Sequence, residues 1–473
     1  MTDPPRSPVR SPTSLAPVRE REEHSLPETQ KGERCPLCRR TSTWDEKYRF
    51  WFLQENYSFP ETLERLTRSL GFCFFHGAHA ALDPSGQSAL TLVHEVLARR
   101  VGSILSRDPR NRSTGKRFPA PFAFPDPCPA CKDRNDAIGR RLSSLVPEIE
   151  QSQFGCSTPV GSLCFPHFRS LVPRLSRPAL LRILPLYETA LSTAPDMESA
   201  GNDSLSLALP IAAGDNGMSG LFPPPFERRA QPAFRSPVAD FLEYLCADDA
   251  CPVCKEMSRA WSEWIDWLTD NLSRDVDVRD LLPVCPTHLR AAFRPGNRRL
   301  VVASIRNVLH LACGQVRRGV ETLSPPPVPD GKKSLFRPGR LFQRDEGLYR
   351  EACRSLGRSL PCPVCHRLAV ARDRAVLLLF ALLESPQHQT RFSTGYGLCL
   401  RHYSRSLSLK PSERVRTILR EVEAAKLALL QWELEETMRK DAWMFRPEEA
   451  GAERTAWSRA VRRFSGSFPE CDG

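Results

Sequence analysis

Cys35-Pro36-Leu37-Cys38, and 34 residues later Cys73-Phe74-Phe75-His76, make a phrase that the chain writes four times. The second copy is Cys128-Pro129-Ala130-Cys131 with Cys164-Phe165-Pro166-His167. The third is Cys251-Pro252-Val253-Cys254 with Cys285-Pro286-Thr287-His288, and the fourth is Cys362-Pro363-Val364-Cys365 with Cys399-Leu400-Arg401-His402. Each reads C-P-x-C, a gap of 30 to 34 residues, then C-x-x-H. Two chelating pairs joined by a spacer offer three sulfurs and one imidazole, a donor set that suits a tetrahedral divalent ion such as zinc. Four copies with one order, one proline and nearly one gap exclude coincidence. About four Zn²⁺ per chain is the expectation, each site closed by protein ligands and carrying about −1 charge. An iron–sulfur cluster with three Cys and one His is the alternative cofactor, as sulfur-rich sites also suit iron.

The spacers read as helices. After Cys38 come Trp44, Tyr48, Trp51 and Phe52 at i, i+4, i+7 and i+8, the amphipathic helical spacing. Ile138, Leu142, Leu145 and Val146 repeat it in the second copy, Trp261, Trp264, Ile265 and Leu268 in the third, and Val376 with Leu379 in the fourth. Within copy one a second helix runs from about Pro60 to Leu70, with Gly71 as its stop, and a third from about Ser88 to Leu105. The fold class expected is mostly α: four tandem helical modules, each stapled by its own Cys3His site, arranged as two pairs. Because each module carries its own staple, losing Cys362 should unfold the C-terminal half and spare modules one and two.

Composition places the boundaries. Residues 1–30 read as a disordered tail, 31–106 as module 1, 107–127 as a linker and 128–193 as module 2. A Pro/Gly/Ser-rich linker at 194–236 separates the halves; module 3 spans 237–322, a basic Pro-rich linker 323–340, and module 4 341–441. Its helix from Ser412 to Lys440 carries Val415, Ile418, Val422, Ala425, Leu429 and Trp432 in steps of three and four. Packing on its own module is the favoured reading of that stripe, and homodimerisation the other. Residues 442–473 add a short amphipathic helix with Trp457 as anchor, and a tail.

Of 17 cysteines, twelve fall in the four phrases, leaving Cys156, Cys246, Cys313, Cys353 and Cys471 without a pattern. Reduced thiols with metal point to a cytoplasmic protein. The N-terminus has no signal-peptide apolar stretch, and the longest apolar run, Ala375 to Leu383, is too short for a bilayer, so no membrane partner is expected. Net charge is +12, with 57 arginines against 10 lysines. High-GC coding produces that bias, and acidic residues are interleaved nearly everywhere. The alternative role, weak and sequence-tolerant nucleic-acid binding, would run through the linkers, by Arg110, Arg112, Lys116 and Arg117 and by Lys332, Lys333, Arg337 and Arg340. His79 is an alternative ligand to His76, and His366 a helix-start residue. No P-loop, HExxH, nucleophile elbow or dinucleotide fingerprint occurs, so the expectation is a non-enzymatic zinc-bound scaffold or adaptor whose partner is another protein.

CPLCRR, an aromatic-rich helix and GFCFFH together resemble an uncharacterised bacterial family of small helical proteins with paired CPxC and GxCxxH motifs. The resemblance covers the four motif cores, most clearly Cys35–His76 and Cys362–His402, with a modest echo from Glu448 to Arg459. SLCFPH and PVCPTH depart from it by lacking the glycine. It implies a helical fold and a bacterial origin, and no reaction.

Overall fold

The computed structural model describes residues 35–106, 122, 125–151, 163–192, 212, 237–274, 281–282, 284–292, 298–323, 338–357, 362–445 and 447–468. Nearly all of these are helical, and no strand occurs among them. Most of the 194–236 linker and residues 324–337 lie outside the described residues. So do Arg110, Arg112, Lys116, Arg117, Lys332, Lys333 and Arg337, while the backbone of Arg340 lies in the first turn of a helix that starts at Pro338.

Module 1 holds α1 (Pro36–Trp51), α2 (Pro60–Arg68), α3 (Phe74–Ala81) and α4 (Gln87–Ser106); module 2 holds α5 (Pro129–Gln151), α6 (Phe165–Leu171) and α7 (Arg177–Ser192). Module 3 comprises α8 (Pro237–Cys246), α9 (Pro252–Ser273), α10 (Pro286–Ala292) and α11 (Arg298–Leu323). Module 4 comprises α12 (Pro338–Gly357), α13 (Pro363–Leu383), α14 (Pro386–Thr394), α15 (Leu400–Ser408) and α16 (Glu413–Asp441), and α17 (Ala456–Ser465) follows. Ser412 caps α16, its hydroxyl accepting the Val415 N–H at 3.2 Å.

The four modules form a ring with two kinds of seam. Modules 1 and 2 meet through α1 against α5 and modules 3 and 4 through α9 against α13, beside the Cys/His groups. The other seams are made by the long helices: α4 of module 1 packs along α16 of module 4, and α7 of module 2 along α11 of module 3. One continuous apolar core runs through all four modules. The halves were expected to stand apart; they are joined instead, because each module's last helix buries its apolar face on a module of the other half.

Helix α16 illustrates the point. Val415, Leu419, Val422, Leu427, Leu430 and Leu434 are buried, whereas Leu429 and Trp432 of the expected stripe are more than half exposed. Its main partner is α4 of module 1, with smaller contacts to its own module. Helix α1 is also turned by one position from the aromatic reading: Leu37, Cys38, Thr41 and Asp45 are buried, and Trp51 is exposed. In modules 3 and 4 the stripe holds, with Trp261, Trp264, Ile265, Leu268, Val376 and Leu379 all buried, and in module 2 Leu142 and Leu145 are buried while Ile138 and Val146 are half-buried. The 107–127 linker is pinned near its end: Phe122 is buried edge-on to Tyr403 at 5.3 Å, and its carbonyl accepts from the Ser404 hydroxyl at 2.7 Å.

The stop before Cys73 is a Schellman turn displaced by one residue from the glycine expected. Gly71 N–H donates to Leu66 O at 2.7 Å and Leu70 N–H to Thr67 O at 3.3 Å, so Leu70 (φ 54°) occupies the left-handed position. Gly71 (φ 87°) follows, and a Cβ there would sit 3.0 Å from Phe464 of α17. The glycine serves the turn and lets the C-terminal helix approach module 1.

Candidate metal centres

Each donor pair begins a helix. In C-P-x-C the first Cys is the N-cap, proline takes the first helical position, and the second Cys stands one turn in, as at Cys35, Cys251 and Cys362. In C-x-x-H the Cys is again the N-cap and the His is three residues on, as at Cys73, Cys164 and Cys399. Amide-rich, partly positive helix ends thus face the sulfurs and stabilise thiolate.

All sixteen predicted ligands are brought into four groups, each of three Cys and one His, with donor atoms within 4.8 Å of one another. The partition differs from the one the sequence suggested. No C-P-x-C meets the C-x-x-H of its own copy. Cys35 and Cys38 join Cys164 and His167; Cys73 and His76 join Cys128 and Cys131. Likewise Cys251 and Cys254 join Cys399 and His402, while Cys285 and His288 join Cys362 and Cys365. The pairing is nested in each half, so a staple ties two modules together rather than closing one.

Every imidazole presents Nδ1 to the sulfurs, the nitrogen that a side chain in the first helical turn can bring inward. His167 Nδ1 lies 3.5, 3.4 and 3.2 Å from Cys35, Cys38 and Cys164 Sγ. His76 Nδ1 lies 3.2, 3.7 and 3.3 Å from Cys73, Cys128 and Cys131. His402 Nδ1 stands 3.4, 3.4 and 3.2 Å from Cys251, Cys254 and Cys399. His288 Nδ1 stands 3.2, 3.5 and 3.4 Å from Cys285, Cys362 and Cys365. Sulfur–sulfur contacts across the modules are 3.6, 3.6, 3.9 and 3.7 Å. His79, the alternative ligand, instead meets Arg49 Nη1 at 3.2 Å, and exposed His366 belongs to no group.

Three thiols this close compete for charge. Hydrogen bonding with Cys164 and Cys38 holds the Cys35 thiol far below its usual range, while the bond to Cys35 pushes Cys164 well above. Burial drives Cys254 upward, and Cys251 falls despite burial through its bonds with Cys254 and Cys399. Such a group cannot hold three negative charges unaided; a divalent cation at its centre would let all three ionise.

Residues behind the ligands were missed from sequence. Buried Asp45 accepts from His76 Nε2 at 3.3 Å, fixing the tautomer that leaves Nδ1 free, and Arg134 Nη1 lies 3.6 Å from its other oxygen. A signal existed: Asp45 is seven residues past Cys38, the place filled by Ile138 and Trp261 in modules 2 and 3. A carboxylate in core phase needs a partner. Trp261 serves the equivalent histidine of the second half differently, its ring lying 5.3 Å from His288.

The C-terminal segment, for which the sequence offered no chemistry, completes the Cys251 group. Ser467 N–H donates to Cys254 Sγ at 3.4 Å. Buried Arg463 donates to Tyr396 O at 2.6 Å, Leu398 O at 2.5 Å and Glu423 at 3.0 Å, and stacks over the Tyr396 ring. Glu423 in turn accepts the Leu398 N–H at 2.6 Å. This buried pair clamps Tyr396 to Leu398, the strand of backbone that delivers Cys399. Burial pushes the Glu423 carboxyl up to about 7 against the pull of Arg463.

No helix is long and apolar enough to cross a membrane among the described residues. Comparison with known protein families, with curated proteins and with solved structures finds no match.

Proposed function

We propose that the protein is a zinc-bound helical scaffold, with one Zn²⁺ in each of the four groups and no catalytic role for the metal. The observation that carries this is the size of the donor sets. With metal–sulfur bonds near 2.3 Å and metal–nitrogen bonds near 2.05 Å, a tetrahedron has S···S edges of about 3.8 Å and S···N edges of about 3.5 Å. In each group all donor atoms lie within 4.8 Å of one another, with one S···S contact at 3.6–3.9 Å and S···N contacts at 3.2–3.7 Å. A multinuclear cluster spreads its terminal ligands over separate irons and needs a wider cage. All four positions are protein donors, so the ion would hold modules together and leave no seat for substrate.

The scaffold reading includes a protein partner and a cytoplasmic setting, which suits reduced thiols. Large exposed apolar side chains near the C-terminus, Trp432, Trp443 (79% exposed) and Met444, support a partner-binding role. Metal analysis with an absorption spectrum of purified protein tests the core of it. About four zinc per chain, lost to chelator together with helix signal, is expected. A brown protein with stoichiometric iron and sulfide would overturn it. The family resemblance, on this reading, describes a bacterial module that has been joined four times in one chain.

A further inference from the structure

Helices α1 and α5, each starting at a metal group, line a cleft of about 420 Å³. It is lined by Arg39, Arg40 and Lys47 of α1 and by Arg134 and Arg141 of α5, with the Trp44 ring among them and no carboxylate. Tyr48 stacks on Trp44 at 4.9 Å and backs it. Two of the lining arginines have acidic partners outside the lining: buried Asp45 is 3.6 Å from Arg134, and exposed Glu148 is 3.8 Å from Arg141. Arg134 is already ion-paired with buried Asp45, so the cations open to a ligand are the exposed Arg39, Arg40 and Lys47, and three cations facing one cleft with no carboxylate in its lining point to an anion.

The second half supplies an internal control. Counting from the ligands, Arg39, Arg40 and Lys47 correspond to Lys255, Glu256 and Glu263, and Arg134 and Arg141 to Leu368 and Ala375. There Arg259 pairs with both Glu256 and Glu263, and Lys255 with Asp249 at 2.6 Å. The same architecture thus neutralises its charges in one half and concentrates them in the other, so neither the repeat nor the arginine-rich composition accounts for the cleft.

We propose that this cleft binds a small phosphate-bearing ligand of the nucleotide class, its phosphates held by the Arg39, Arg40 and Lys47 cations and its ring against Trp44. Arginine forks suit phosphate oxygens bidentately, the clustered charge raises local anion concentration, and the volume falls in the range of small-molecule sites. Lys47 and Arg40 are exposed, which lets a ligand reach them without displacing packed side chains.

The test is calorimetry on the full-length, metal-loaded protein with ATP, inorganic tripolyphosphate, adenosine and a short single-stranded oligonucleotide at about 50 mM salt. ATP should bind saturably and more tightly than tripolyphosphate, and adenosine weakly. Arg40→Glu with Lys47→Glu should weaken ATP at least about tenfold, with metal content and helix signal unchanged, while Lys255→Glu in the second half should not. Should the double variant fail to fold, Lys47→Ala alone should weaken ATP by a few-fold. No ATP binding at millimolar concentration, or equal losses in the Lys255→Glu control, would overturn the proposal. Oligonucleotide binding that outcompetes ATP would replace it with a nucleic-acid track.

Discussion

The ligand partition can be tested by counting ions in paired variants. A structural zinc contributes about 10–16 kcal/mol of apparent binding free energy. Shared evenly among four donors, that is about 3–4 kcal/mol per ligand, or two to three decades of affinity. One lost thiolate therefore makes a group yield to a chelator that intact groups resist. Cys35 and Cys164 belong to one group, and Cys35 and Cys73 to two. After a chelator wash, wild type should retain four ions by mass spectrometry of the native chain, as there are four groups. Cys35→Ala with Cys164→Ala should retain three, and Cys35→Ala with Cys73→Ala only two. If each C-P-x-C instead bound the C-x-x-H of its own copy, the last two counts would exchange. Three ions in the Cys35/Cys73 variant would refute the nested partition.

Asp45→Asn should lower affinity at the Cys73 group about 10–100-fold and leave the other three alone, read by site-resolved chelator competition. Gly397 sits at φ 78°, where a Cβ would lie 2.8 Å from Glu423 Oε1; Gly397→Ala should cost about 1–3 kcal/mol in denaturant unfolding, and an unchanged midpoint would count against the Glu423–Arg463 clamp. His94 is buried with Nδ1 donating to Leu90 O at 2.7 Å, and burial holds its pKa at about 4. The unfolded chain takes up that proton near pH 6.5, so stability should fall as pH drops from there to about 4, by about 3 kcal/mol in all. Comparing wild type with His94→Gln across this range isolates the group from acid release of metal; parallel curves would contradict the assignment.

The helical class, the sixteen donors and the helix starts were legible in the chain, because each rests on local chemistry. Proline after the first Cys, a second donor one turn later and a 3.6-residue apolar stripe read the same wherever the helix ends up. The chain also carried, unread, the misfit of Asp45 in core phase. Folding settled which donor pairs come together and which helices share a face. Closing Cys35 onto His167 spans 132 residues, against about 40 to His76. That longer loop costs only about 1 kcal/mol more, small beside the affinity of a metal site. Spacing therefore could not choose between the two partners, though the nearer looked the natural one. The choice belongs to the long helices: α4 needs α16 and α7 needs α11 to bury their apolar faces. Those seams fix the ring, and the ring sets each C-P-x-C opposite the C-x-x-H of its neighbour.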